Sequence, residues 1–373
     1  MKKILLCTFL FAATLLPSCS SDNNQVDDNT QEEVVPEKKL FVYQLDREPW
    51  SEENPLTTTS KFTATHDELK LEFFGWSLEE DASINITFPE ETDNYNKAIL
   101  TYRMGGWNEG PAEWDMATQI MVLDKESGEY YEIARAITPY GASFDISWNK
   151  TFYLDVTEYL PMLTGDTEFR IFYGGFDATE TNAHTVKMTF DLYSTENVEP
   201  RTLYHAKIYD SRQNHNGYRG WYYGSDSLPI EDDARLGLRE FTLPEDVASL
   251  LMKVNITGHG MEQGVFPDRD AYITKNAAEF DENTYEVVIN GTKYGTGHIF
   301  YDNGDTYFQS GTFKYDRANW GPGLPVNTHY WAIDNLPSDR EMSIDLNLEN
   351  YISPSNQPAA FYMVQVDIFG LSM

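Results

Sequence analysis

The sequence predicts an all-β protein built as two consecutive antiparallel sandwiches, and three observations lead there. Apolar and aromatic residues alternate with polar ones in short runs, Gly, Asn, Asp and Pro separate those runs, and the second half repeats motifs of the first in the same order.

The chain opens on Met1-Lys2-Lys3, an apolar run over 4–16 and then Pro17-Ser18-Cys19. These are the positive, apolar and small-residue parts of a lipoprotein signal. The apolar run is far shorter than the ~20 residues that span a bilayer. Residues 1–18 are therefore expected to be a signal peptide, with cleavage before Cys19 and a lipid on its sulfur. The reading that follows is an exported lipoprotein, at the outer membrane or cell surface, whose membrane contact is that lipid. Its two cysteines are Cys7 and Cys19, so the mature chain holds no disulfide although its compartment would permit one.

Residues 19–38 are polar and acidic, with Asp22, Asp27, Asp28, Glu32 and Glu33 among Ser and Asn. Such a segment has too little to bury and is expected to be a disordered tether. Its acidic character resembles the surface-export signal of Bacteroidetes lipoproteins. The formal net charge of the whole chain is -33, a poor surface for nucleic acid.

Strand-like runs follow at 84–88, 120–123, 152–156, 169–173 and 186–192, then at 203–208, 253–257, 285–289, 342–348 and 362–369. Only 246–252 has helical spacing. The halves echo each other: Phe88-Pro89-Glu90, a strand and Gly105-Gly106 return as Leu243-Pro244-Glu245, a strand and Gly258-His259-Gly260. Ala112-Glu113-Trp114-Asp115 returns as Ala278-Glu279-Phe280-Asp281, and Asp155-Val156-Thr157-Glu158-Tyr159 as Leu346-Asn347-Leu348-Glu349-Asn350-Tyr351. The boundary falls near 196–201, giving sandwiches over 39–198 and 199–373.

Missing motifs prune the chemistry. There is no Gly-rich phosphate loop, His-Glu-x-x-His, His-x-His pair or Gly-x-Ser-x-Gly elbow, and the seven histidines are scattered. Zinc, copper and serine or cysteine nucleophiles lack the ligands or partners they need, so no metal or cofactor is expected. Carboxylates and aromatics remain. Glu113-Trp114-Asp115 leads into a strand over 118–123, which places Asp115 at a sheet rim beside an indole. From the residues alone, a solvated loop carboxylate is the plainer reading.

The stretch Glu113-Trp114-Asp115, Glu129 through Tyr140, Asp155-Val156-Thr157 and Glu168 through Phe172 resembles the amino-terminal half of the peptide-N-glycosidase F family. Thr257-Gly258-His259-Gly260, Ala278-Glu279-Phe280 and Asp316-Arg317-Ala318-Asn319-Trp320-Gly321-Pro322-Gly323 resemble its carboxy-terminal half. The resemblance implies two eight-stranded jelly rolls side by side. It also implies a glycoamidase that hydrolyses the amide between asparagine and the first N-acetylglucosamine of an N-linked glycan, with N-glycosylated proteins or glycopeptides as partners. It makes Asp115 the principal catalytic carboxylate, Glu279 its partner from the other jelly roll and Arg317 a substrate-binding residue.

Amide hydrolysis suits these residue types, because two carboxylates with separated pKa values divide nucleophile activation from protonation of the leaving nitrogen. Trp107, Trp114 and Trp320 are candidate faces for sugar rings, or core residues, and His259 stands where the family has a site tryptophan. The chain departs from the pattern elsewhere. A third functional glutamate becomes Gly174, with Asp177 and Glu180 the nearest acids; the arginine after the catalytic aspartate becomes Met116; and the family's cysteines become Gly106, Pro111, Ala277, Asp281 and Gly321. These departures motivate the alternative, a non-catalytic glycan-binding or adhesion lipoprotein on the same scaffold. Copper-dependent peptidylglycine hydroxylating monooxygenase shares the layout, but the clustered His and Met ligands it needs are not found. Oligomeric state is not legible.

Overall fold

Alternation builds the first sandwich. In β10 (His184–Thr195) Val186, Met188, Phe190 and Leu192 are buried while Lys187, Thr189 and Asp191 between them are half-buried, as strand geometry requires. This strand pairs with β2 (Thr58–Thr65) on one side and β5 (Lys97–Gly106) on the other, β5 pairs with β8 (Asn149–Asp155), and the short β3 (Leu69–Lys70) also joins β10. The facing sheet runs β4 (Ala82–Thr87), β9 (Asp166–Tyr173), β6 (Ala117–Leu123) and β7 (Tyr130–Ile137). Leu100, Tyr102, Met104 and Phe152 of one sheet meet Ile120, Val122, Phe169 and Ile171 of the other. Each such side chain contributes about 1.5–3 kcal/mol by leaving water.

The second sandwich repeats the plan. One sheet runs β11 (Thr202–Asp210), β19 (Phe361–Leu371), β14 (Ser249–His259), β17 (His329–Ile333) and β1 (Leu40–Val42), with β12 (Trp221–Tyr222) also on β19. The other runs β13 (Arg239–Thr242), β18 (Glu341–Leu348), β15 (Asn283–Ile289) and β16 (Thr292–Ile299). Among the described residues, with β1, β3 and β12 set aside, each half has eight antiparallel strands in one order, the jelly roll. These residues belong to the compact unit Lys38–Met373. The computed structural model describes residues 40–42, 58–75, 78–196, 200–211, 221–222, 236–260, 279–303, 306–349 and 361–373. The expected signal and tether, Cys19 included, lie outside the described residues, as does Ala277.

Three expectations are corrected. Residues 246–252 are not helical: Val247 closes a turn onto the Pro244 carbonyl and β14 begins at Ser249, with Leu250 and Met252 buried at strand spacing. Leu40–Val42, assigned to the amino-terminal sandwich, pairs with β17 of the other and covers an edge that would otherwise be open. The third echo is not equivalent in space. Asp155 ends β8, whose counterpart is β17, whereas Asn347 and Leu348 end β18, the counterpart of β9.

The sandwiches join through β7 against β14 and β19. Arg135 donates to Thr257 Oγ1 and the Met363 carbonyl, each at 2.8 Å, and to Glu132 at 2.6 Å. Lys253 donates to the carbonyls of Glu132 and Ile133 at 3.0 Å and to the Tyr159 hydroxyl at 2.8 Å. Beside this polar patch, Ala117, Ile137, Phe172, Trp320, Val326, Phe361 and Met363 form an apolar seam. The seam leads to the loops before β6 and β15.

Candidate active site

Asp115 lies in the loop from β5 to β6, which is fixed from several sides. Gly141 donates its N–H to the Glu113 carbonyl at 3.0 Å. A Cβ there would lie 1.8 Å from the Ala112 carbonyl oxygen, so the close approach of the two loops requires glycine. Thr138 holds the next residues: its hydroxyl donates to the Trp114 carbonyl at 3.0 Å and accepts from the Met116 N–H at 2.8 Å.

Glu279 occupies the equivalent loop before β15. Its N–H donates to the Gly260 carbonyl and its carbonyl accepts from the Ala318 N–H, both at 2.9 Å. Arg317 follows β16 and is bridged in both directions to Tyr301. Asn303 and Asn319 bind the surrounding turns, Asn303 through the carbonyls of Tyr315 and Trp320 and Asn319 through those of Ile256 and Asn327. Amide side chains thus anchor this region.

The structure brings Asp115, Glu279 and Arg317 together. Arg317 Nη2 donates to Asp115 Oδ2 at 3.3 Å, and its Nε lies 3.4 Å from Glu279 Oε1. The guanidinium is fully buried, with Nη1 donating to the carbonyls of Thr312 and Tyr315. Its Cζ is 4.9 Å from the Phe280 ring centre and 4.8 Å from that of Trp320, positions in which aromatic faces favour a cation. Asp115 and Glu279 keep 9% and 19% of their side-chain surface. A small opening therefore leads to both acids but not to the arginine.

Burial and then the Glu279 charge push the Asp115 carboxyl up to about 8, with Arg317 and a hydrogen bond from Tyr140 opposing them. Burial also raises Glu279, and Arg317 opposes it. Two carboxylates on one buried guanidinium would carry a net negative charge if both ionised. The pair therefore keeps a proton near neutrality, and that proton belongs to the pair.

Tyr140 is a residue the sequence reading did not single out. Its hydroxyl receives Arg317 Nη2 at 3.2 Å and lies 2.7 Å from Thr312 Oγ1. No motif marks it, because it reaches the site only when the end of β7 meets the second sandwich.

The other expected site residues divide. Trp107 and Trp114 are 39% and 49% exposed, and Trp114 sets its edge against Tyr140. Trp320 and His259 are buried and stacked at 5.6 Å. Trp320 donates to the Gly258 carbonyl and His259 bonds Thr257, so both pack the core rather than face a ligand. Arg317, expected to hold substrate, instead directs its donors at protein groups. Gly174 gives its N–H to the Ala117 carbonyl, and Met116 packs on the first core. Asp177 folds back onto the Trp114 N–H at 2.7 Å, whereas Glu180 is exposed and accepts on its carbonyl from Asn108. Among the described residues, no three or more His, Cys, Asp or Glu side chains converge to hold a metal ion.

No family model matches the chain. Among curated proteins, peptide-N(4)-(N-acetyl-beta-D-glucosaminyl)asparagine amidase F of Elizabethkingia miricola is 27% identical over 313 residues, 80% of this chain and 80% of the relative. Among solved structures, the glycosylasparaginase PNGase F from Flavobacterium meningosepticum has a TM-score of 0.65 at 22% identity, over 84% of this chain and 96% of that one. PNGF-II has a TM-score of 0.61 at 14% identity, over 84% of this chain and 65% of its own. These structural likenesses share the two-jelly-roll fold.

Proposed function

Because the chain is a divergent member of the peptide-N-glycosidase F family, we propose that it hydrolyses the amide joining an asparagine side chain to the first N-acetylglucosamine of an N-linked glycan. The observation that carries this reading is the meeting of Asp115 and Glu279 on the single buried guanidinium of Arg317.

Hydrolysis requires water to lose a proton as it attacks the amide carbon, and the nitrogen to gain one as the C–N bond breaks. A pair that keeps one proton does both: its ionised member accepts the proton of water and its protonated member supplies the nitrogen. Asp115 is the principal group and Glu279 its partner. Aspartate remains in the polypeptide and a glycosylamine leaves. Arg317 restrains both carboxylates so that little reorganisation is needed as the charge moves. Trp107 and Trp114 offer exposed faces to sugar rings. In this reading the substrates are N-glycosylated proteins or glycopeptides, and the lipid on Cys19 keeps the enzyme at the outer membrane or cell surface.

The test is incubation of the purified full-length chain with an N-glycosylated peptide in heavy-oxygen water. The reading expects asparagine to become aspartate with heavy oxygen in its new carboxylate. Retention of intact glycopeptide on a folded protein would instead identify a glycan-binding module.

A further inference from the structure

Asp115 carries the chemistry in the reading above, but its geometry is set by its neighbour Trp114. The Trp114 N–H donates to Asp177 Oδ2 at 2.7 Å, and Asp177 Oδ1 accepts from the Tyr173 hydroxyl at 3.0 Å. In the next peptide unit, which joins Trp114 to Asp115, the Trp114 carbonyl receives Thr138 Oγ1 at 3.0 Å and lies 3.3 Å from His184 Nε2. His184 is fully buried, and because a carbonyl oxygen only accepts, Nε2 is the donor in this contact. Three separate places in the first sandwich, the end of β9, the end of β7 and the start of β10, thus converge on one residue.

The local sequence explains how Asp177 reaches this position. Tyr173 ends β9, and Gly174-Gly175 turns the chain back over it. A Cβ on Gly175 would lie 2.4 Å from the Tyr173 ring, so a glycine there lets the loop close enough to set the carboxylate on the hydroxyl. Both carboxylate oxygens are then engaged, one with buried Tyr173 and one with a main-chain donor. A charge-assisted bond to an amide is stronger than a neutral one.

We infer that Asp177 is a positioning residue for the proposed hydrolysis: it clamps the Trp114 amide, and so fixes the Asp115 carboxylate against Arg317 and the Trp114 indole at the rim. It acts through the main chain and transfers no proton. The activity part of this inference rests on the glycoamidase reading. The clamp itself does not.

Three variants test it. Asp177→Ala removes the acceptor and is expected to lower kcat by about 10–100-fold while KM changes less than about 3-fold, the consequence of a misplaced catalytic group. Asp177→Asn keeps an amide oxygen for the Trp114 N–H and is expected to stay within about 3-fold of the wild type, whereas a proton-transferring acid would lose activity in both variants. Tyr173→Phe leaves Asp177 untethered and is expected to lower kcat by several-fold, and it supplies the answer if Asp177→Ala does not fold. Amide hydrogen exchange at Trp114, followed by NMR, gives a readout independent of catalysis: slow in the wild type and Asp177→Asn, fast in Asp177→Ala. A wild type that releases no glycan overturns the glycoamidase reading and leaves the exchange measurement to judge the clamp. Unchanged exchange and kcat in Asp177→Ala, or equal losses in Asp177→Ala and Asp177→Asn, overturn the inference.

Discussion

Arg317 of the second jelly roll donates to Asp115 of the first across 3.3 Å, with none of its own side-chain surface exposed. The bond joins groups 202 residues apart in the chain. It makes the environment of the proposed catalytic acid a property of how the two sandwiches dock.

Replacing that arginine is therefore expected to damage more than one charge. Arg317→Lys keeps the charge but loses the planar fork that spans both carboxylates and the Thr312 and Tyr315 carbonyls. Glycan release should fall by about 10-fold or more, while circular dichroism shows the fold retained. Arg317→Met leaves two buried acids without a cation and should destabilise the protein by about 3–5 kcal/mol in urea unfolding.

The raised carboxyls predict a pH dependence of stability. Asp115 and Asp367 are both pushed up to about 8, burial being the first cause in each. Between the usual carboxylate range near 4 and that value, the folded protein holds protons that the unfolded chain has released, so rising pH weakens the folded state. Asp115→Asn stays neutral throughout this window. Its melting temperature is expected to gain on that of the wild type between about pH 5 and about pH 8, measured by scanning calorimetry at each pH. A gap that is flat or shrinks would contradict the buried, proton-retaining state of the pair.

The tryptophans separate by exposure. Trp107→Ala and Trp114→Ala should cost less than about 0.5 kcal/mol of stability. Each should raise KM for glycopeptide by about 3–10-fold if its face meets a sugar. Trp320→Ala should instead cost about 3–5 kcal/mol, because that ring packs between Arg317 and His259.

Lys253 tests the docking itself. It is fully buried, its ordinary pKa lowered first by burial, and Glu158, Glu132 and Asp367 oppose that change. Lys253→Met should destabilise the protein by about 3–5 kcal/mol in urea unfolding, since the acids it faces lose their cation.

Much of this was legible in the sequence, and the limits have physical causes. The all-β class and the doubled sandwich follow from short alternating runs and repeated motifs, and the topology of the two halves is the same. Residues 246–252 misled because Val247, Leu250 and Leu251 have helical spacing, yet each is placed by a turn or by pairing. Alternation in β14 separates Met252 and Val254 from Lys253 and Asn255 but does not tell that the polar side is buried too, against the other sandwich. Tyr140 and Asp177 carry no motif, because their roles arise from loop closure and docking. Trp320 and His259 fit a sugar site by residue type, and only burial reveals that they pack the core.

The measurement that bears most directly on the two-carboxylate site is glycan release from an N-glycosylated peptide by the full-length protein beside its Asp115→Asn and Glu279→Gln variants. The expected result is asparagine converted to aspartate by the wild type, and rates lower by about 10²–10⁴-fold in each variant. A folded wild type that leaves the glycopeptide intact, or variants as fast as the wild type, would contradict the account.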